Sequence, residues 1–167
     1  MHPLTASTYE YLAQTDALRG MAGDVIKAYT KAMDIFNTVL GGGHPQTKRL
    51  TASFELFQRE NTANALNKQG TVLKAHGDLE KATQLFLEAL DIYKEDYDSH
   101  RYMIDISENI SDVKFEQDLL EERIAVSAEA LKMRRRIPIL GDNHIDTKRR
   151  MEAHRSLLKS RLLENRN

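Results

Sequence analysis

The chain has 167 residues, 41% of them hydrophobic and 29% charged, which suits one or two ordinary globular domains. It contains no cysteine, which excludes disulfides, thiol catalysis and cysteine-ligated zinc; no apolar run approaches the roughly 18 residues of a membrane-spanning helix. The net charge of −1 hides opposed blocks: residues 1–77 sum to +2, 78–131 to −10 and 132–167 to +7. Such blocks fit either interaction surfaces or neighbouring helices that neutralise one another. Residues 1–20 carry Glu10 and Asp16 and no apolar core stretch, unlike a secretory signal. The composition fits a reducing, cytoplasmic setting.

Self-similarity organises the rest. Val39-Leu-Gly-Gly-Gly-His-Pro-Gln-Thr-Lys-Arg49 recurs as Ile139-Leu-Gly-Asp-Asn-His-Ile-Asp-Thr-Lys-Arg149. A clipped copy, His2-Pro3-Leu4-Thr5, opens the chain, so His-x-x-Thr falls at 2, 44 and 144. A start in mid-junction is expected of a piece cut from a longer repeat array. Pro3, Pro45 and Pro138 all sit at or beside these junctions, and between them apolar residues recur at helical spacing. The chain is expected to be all-α.

In chain order, residues 5–38 form a first helical pair. An offset of 57 carries Thr62-Ala63 back to Thr5-Ala6 and Glu88–Tyr93 back to Lys31–Phe36, with Ala13 in the place of Gly70 and Tyr29 in that of Phe86. Next comes an excess. From His2 to Gly23 is 21 residues but from His44 to Gly77 is 33, a difference of 12. Either helix 46–76 is unusually long, or an extra helix over 46–59 breaks near Asn61, and the cap-forming Asn favours the break. Phe54 and Phe57 on that stretch read as buried aromatics rather than a docking surface.

The middle segment, Thr62–Glu95, is the clearest. Leu66, Gly70 and Leu73 line a first helix; Gly77 ends it in the left-handed conformation and Asp78 caps the next. Ala82, Phe86 and Ala89 line the second helix, with Phe86 filling the space that the small residues leave. A third pair ends in Ala128-Glu129-Ala130-Leu131. Its first helix, roughly 100–113, puts Ser107 and Ser111 where Leu66 and Gly70 stood. Residues 145–165 form a last, polar and basic helix suited to capping.

Residues 62–95 resemble a tetratricopeptide repeat, a 34-residue helix–turn–helix unit. With Ala63 as position 1, Leu66, Gly70, Leu73, Gly77, Ala82, Phe86 and Ala89 fall on that family's consensus places, while Lys94 replaces the closing proline. The junction Leu-Gly-x-x-His-Pro-x-Thr, and the phrase Ala65-Leu-Asn-Lys-Gln-Gly70, resemble the long-period repeats of kinesin light chains. The resemblance implies an α-solenoid of about three units (about 3–40, 44–97 with the extra stretch 46–60, and 99–137), closed by a capping helix at about 145–165, in a single domain 1–167.

The resemblance also implies that Asn64, Asn67, Thr71 and Lys74 face a groove for an extended peptide, where side-chain amides can pair with a partner's backbone. The function it implies is protein–protein interaction, as an adaptor or accessory subunit. A different class of reading uses the basic residues Arg134, Arg135, Arg136, Lys148, Arg149 and Arg150, which could meet nucleic acid or an anionic lipid surface. Aromatics that could stack on bases are missing after Phe115, which makes nucleic acid the weaker partner. An acidic protein patch, including residues 78–131 of a second copy meeting 132–167, fits the charges better.

Catalytic chemistry finds no support. Gly41–Lys48 lacks the Gly-Lys-Ser/Thr ending of a phosphate loop and follows a helix, not a strand. It reads as a turn in which His44 and His144, with Thr47 and Thr147, cap the following helices. No two of the six histidines stand at i,i+3 or i,i+4, so neither a metal site nor a cofactor is expected. Glu121-Glu122-Arg123 and its neighbours read as a hydrated face, and no enzyme is expected.

Overall fold

Each His-x-x-Thr copy starts a helix, and the chemistry is the same each time. The computed structural model describes residues 2–94, 100–137, 140, 142 and 144–164. His2 Nδ1 accepts the Leu4 amide at 3.2 Å, His44 Nδ1 the Gln46 amide at 3.2 Å, and His144 Nδ1 the Asp146 amide at 3.3 Å. These are amides that the helix itself leaves without a partner. The histidines are therefore caps, as the sequence suggests. The threonines act differently: buried Thr47 donates back to the Gly41 carbonyl at 2.9 Å, and buried Thr147 donates to that of Leu140. They tie the new helix to the loop before it.

The helices are α1 (Pro3–Leu18), α2 (Ala22–Leu40), α3 (Pro45–Ala75), α4 (Leu79–Lys94), α5 (His100–Glu116), α6 (Leu120–Arg136) and α7 (Ile145–Glu164). No strand occurs among the described residues, so the all-α expectation holds. Pro138, and Ile139, Gly141 and Asn143 of the second junction copy, lie outside the described residues, as do the side chains of Lys94 and His100. Contacts divide the chain into two compact units, 1–61 and 62–167.

The expected break near Asn61 does not occur. α3 runs unbroken for 31 residues against 16 in α1, an excess of 15 rather than 12. The count from Gly23 was misplaced, because Gly23 lies inside α2. The turn glycine is Gly20, at φ +73°, with the Met21 amide bonded to the Asp16 carbonyl at 3.0 Å. Asn61 is a tolerable interior helix residue, and no glycine or proline interrupts residues 46–69, so nothing forces a stop.

In the first unit, α1 and α2 enclose Ala6, Ala13, Val25, Ala28, Tyr29, Ala32, Ile35 and Phe36, with Leu50 of α3. Phe54 and Phe57 pack inward on Tyr29, ring centroids 5.3 and 6.2 Å away. Both rings are half-buried, so they pack on the core as the buried-aromatic reading expects but are not fully enclosed. Burial, then the nearby Glu10 and Glu60 carboxylates, push the Tyr29 hydroxyl above its ordinary titration range. Glu10 is itself buried and is held by Arg49 Nη2 at 3.0 and 3.2 Å.

In the second unit the residues singled out by the sequence meet. Ala63, Ala82, Phe86, Ala89 and Tyr93 are buried with Ile106, Ile110 and Val113 of α5, and Leu66 and Leu73 pack against them. Gly77 takes φ +80°, and Asp78 caps α4 through the Lys81 amide at 3.4 Å. The corresponding turn between α5 and α6 has no glycine. Asp118 adopts φ +58° instead, and the Leu119 amide closes on the Lys114 carbonyl at 2.9 Å. Asp tolerates this conformation better than most residues, which is why the turn survives the substitution.

Candidate interaction surface

Helical spacing puts Asn64, Asn67, Thr71 and Lys74 on one stripe of α3. The Tyr93 hydroxyl donates to Asn64 Oδ1 at 3.2 Å, and Asn109 Nδ2 donates to Asn67 Oδ1 at 2.9 Å. Lys74 Nζ lies 3.3 Å from Asp112 Oδ2, with only 19% of its side chain exposed. Thr71 is exposed and donates back to the Asn67 carbonyl at 2.9 Å. Asn67 and Lys74 thus dock α5 beside α3. The Asn67–Asn109 bond uses one acceptor and one donor, so each amide retains further capacity for a partner's backbone. Beside the stripe, Tyr102 stacks on Tyr93 with ring centroids 5.2 Å apart and stays partly exposed.

The six basic residues named from the sequence are not brought to one surface. Arg134 is buried, and its Nε and Nη2 donate to Glu108 Oε1 at 3.2 and 2.8 Å. Arg150 Nη2 donates to the other oxygen of the same carboxylate at 2.6 Å. Arg135 Nε bonds Asp142 at 2.8 Å, and Arg149 Nη1 lies 3.9 Å from Asp146. Arg136 and Lys148 are exposed and make no ion pair among the described residues. Consecutive helical residues point about 100° apart, so a run of three arginines spreads around the helix instead of forming a patch.

The acidic and basic blocks meet within the second unit. Glu108 holds Arg134 and Arg150, and Glu121 lies 2.5 Å from Arg161. Within the acidic block Lys114 pairs with Glu122 at 2.6 Å. The sequence reading missed Glu108 as the hub. The offset of 41 that aligns Ser111 with Gly70 also sets Glu108 opposite Asn67 and Ser127 opposite Phe86, so the signal was present. A third pair with serine in the place of that phenylalanine has a polar interior. A small cavity of about 30 Å³ results, lined by Ser107, Ser111, Ser127 and the Glu108 network, and it has room for a water or two. His154 Nδ1 lies 3.2 Å from the Ser127 hydroxyl at its edge.

Among the described residues no group of three or more His, Asp or Glu could hold a metal ion, and no helix is long and apolar enough to cross a membrane. Residues 62–95 match the family model described as tetratricopeptide repeat. That segment is α4 with the preceding half of α3, and it contains the Gly70–Phe86 contact. The match makes that segment similar to one tetratricopeptide repeat, and repeats of this type generally mediate protein–protein interaction. No curated protein matches the chain.

Proposed function

We propose that the chain is a protein-interaction module, an adaptor or accessory subunit, and that it holds an extended peptide of its partner along the α3 stripe Asn64, Asn67, Thr71 and Lys74. One observation supports this most: the Asn67–Asn109 and Lys74–Asp112 bonds set two first helices side by side. Their pre-ordered amides lose little side-chain entropy when a peptide backbone pairs with them, which favours binding. The kinesin-light-chain-like junctions fit the same reading but name no partner. The alternative of a nucleic-acid or lipid surface is weaker, because Arg134 is buried and Arg135 and Arg150 are engaged with carboxylates.

The test uses Thr71→Arg, an exposed substitution that removes none of the bonds between α3 and α5. Crosslinked capture from native extract should lose its specific partner with this variant while the melting curve stays unchanged. Retention of every captured protein would overturn the assignment to this stripe.

A further inference from the structure

We propose that the pocket between the last turn of α6 and the first turns of α7 receives a single carboxylate, from an Asp or Glu side chain on an acidic segment of a partner protein. The pocket is open, encloses about 420 Å³, and is lined by Arg134, Asp146, Arg149, Arg150 and Ala153. It shares no lining residue with the α3 stripe and rests on its own observations.

Charge balance carries the argument. Glu108 supplies one negative charge to two guanidinium groups, Arg134 and Arg150, each held by one of its oxygens. Arg149 has its own loose counter-charge in Asp146, 3.9 Å away. The five groups therefore sum to +1, and Arg134 carries its charge at a buried position. Glu108 compensates buried Arg134 directly, so the unbalanced charge rests on half-exposed Arg150, which shares that carboxylate, and an added anion would complete its pairing.

Donors remain beyond those that Glu108 uses. Each guanidinium has five N–H groups. Arg134 spends an Nε and an Nη2 on Glu108, and Arg150 an Nη2, so most remain for a ligand. Glu108 fixes both forks before the ligand arrives, which lowers the entropy lost on binding.

The same balance selects the ligand. One carboxylate brings the site to neutrality. A phosphoryl dianion would carry it to a net −1, and the Asp146 carboxylate in the wall would repel it. A nucleic acid offers a row of phosphates, whereas Arg135, Arg136 and Lys148 do not line this pocket.

The test follows the side-chain Nε–Hε signals of Arg134, Arg149 and Arg150 by NMR in the full chain. The probes are acetate, a short glutamate-rich peptide, inorganic phosphate and chloride, all at matched ionic strength. Acetate and the peptide should give saturable shifts at Arg134 and Arg150, with the peptide the tighter. Arg149→Glu, at an exposed position, should weaken the peptide by about tenfold or more with no change in melting. Lys27→Glu on α2 should leave peptide binding unchanged. Phosphate binding tighter than acetate, or carboxylate shifts no larger than those of chloride, would overturn the proposal. So would the same shifts on concentrating the protein alone, with dimers in sedimentation, because the occupant would then be a second copy.

Discussion

Gly70 lies so close to the Phe86 ring that a Cβ at position 70 would stand 2.7 Å from a ring carbon. The ring is fully buried and cannot withdraw. Gly70→Ala tests this contact, because two effects oppose each other. Helix propensity favours alanine by about 1 kcal/mol, and overpacking a rigid core costs about 1–3 kcal/mol. The clash should win, lowering unfolding stability by up to about 2 kcal/mol in urea melts. A stabilised variant would mean that the two helices can part freely.

Glu108 and Arg134 make a different case. Glu108→Ala strands a buried guanidinium and should cost about 3 kcal/mol or more. Arg149→Ala, whose 3.9 Å pair is solvent-exposed, should change stability by less than about 0.5 kcal/mol. Equilibrium unfolding of the two variants side by side measures the contrast. Equal effects would remove Glu108 from its place as hub of the third pair.

Tyr29 predicts how the first unit responds to alkali. Its hydroxyl titrates higher in the folded than in the unfolded chain, chiefly because burial disfavours the phenolate. Its contribution to stability is therefore complete below the ordinary tyrosine value of 10.0 and is lost as pH rises from there through the raised value. Tyr29→Phe should flatten that alkaline loss. Tyrosinate absorbance together with urea melts across the same range checks both halves of the statement.

The junction threonines should each contribute about 1 kcal/mol through their bonds to the preceding loop. Thr47→Val and Thr147→Val keep the shape and remove the donor. Amide hydrogen exchange should then quicken over the first turns of α3 and α7 and stay unchanged in α4 and α6. Uniform quickening would point to global destabilisation instead of a local tie.

Much of the architecture was legible because tetratricopeptide-type packing depends on residue size at fixed spacing. Ala13, Ala63, Gly70, Ala82 and Ala89 are small and Phe86 large, and these positions pack as their spacing implies. The capping histidines were legible for the same reason, since a helix start needs an acceptor at one place. The turn at Asp118 was not, because its left-handed conformation belongs to the backbone and usually calls for glycine. The continuity of α3 was also missed: whether Asn61 caps a helix or sits inside one depends on what surrounds it. The basic residues were over-read, because a charge run does not reveal that one member turns inward to a carboxylate 26 positions earlier.

The central claim is that a partner lies on the α3 stripe, and site-specific photocrosslinking tests it most directly. A photoreactive residue is placed at Thr71 in one preparation and at exposed Lys81 of α4 in another. With native extract, partner adducts should form at position 71 and be absent at 81. Adducts confined to position 81, or equal at both, would contradict the account.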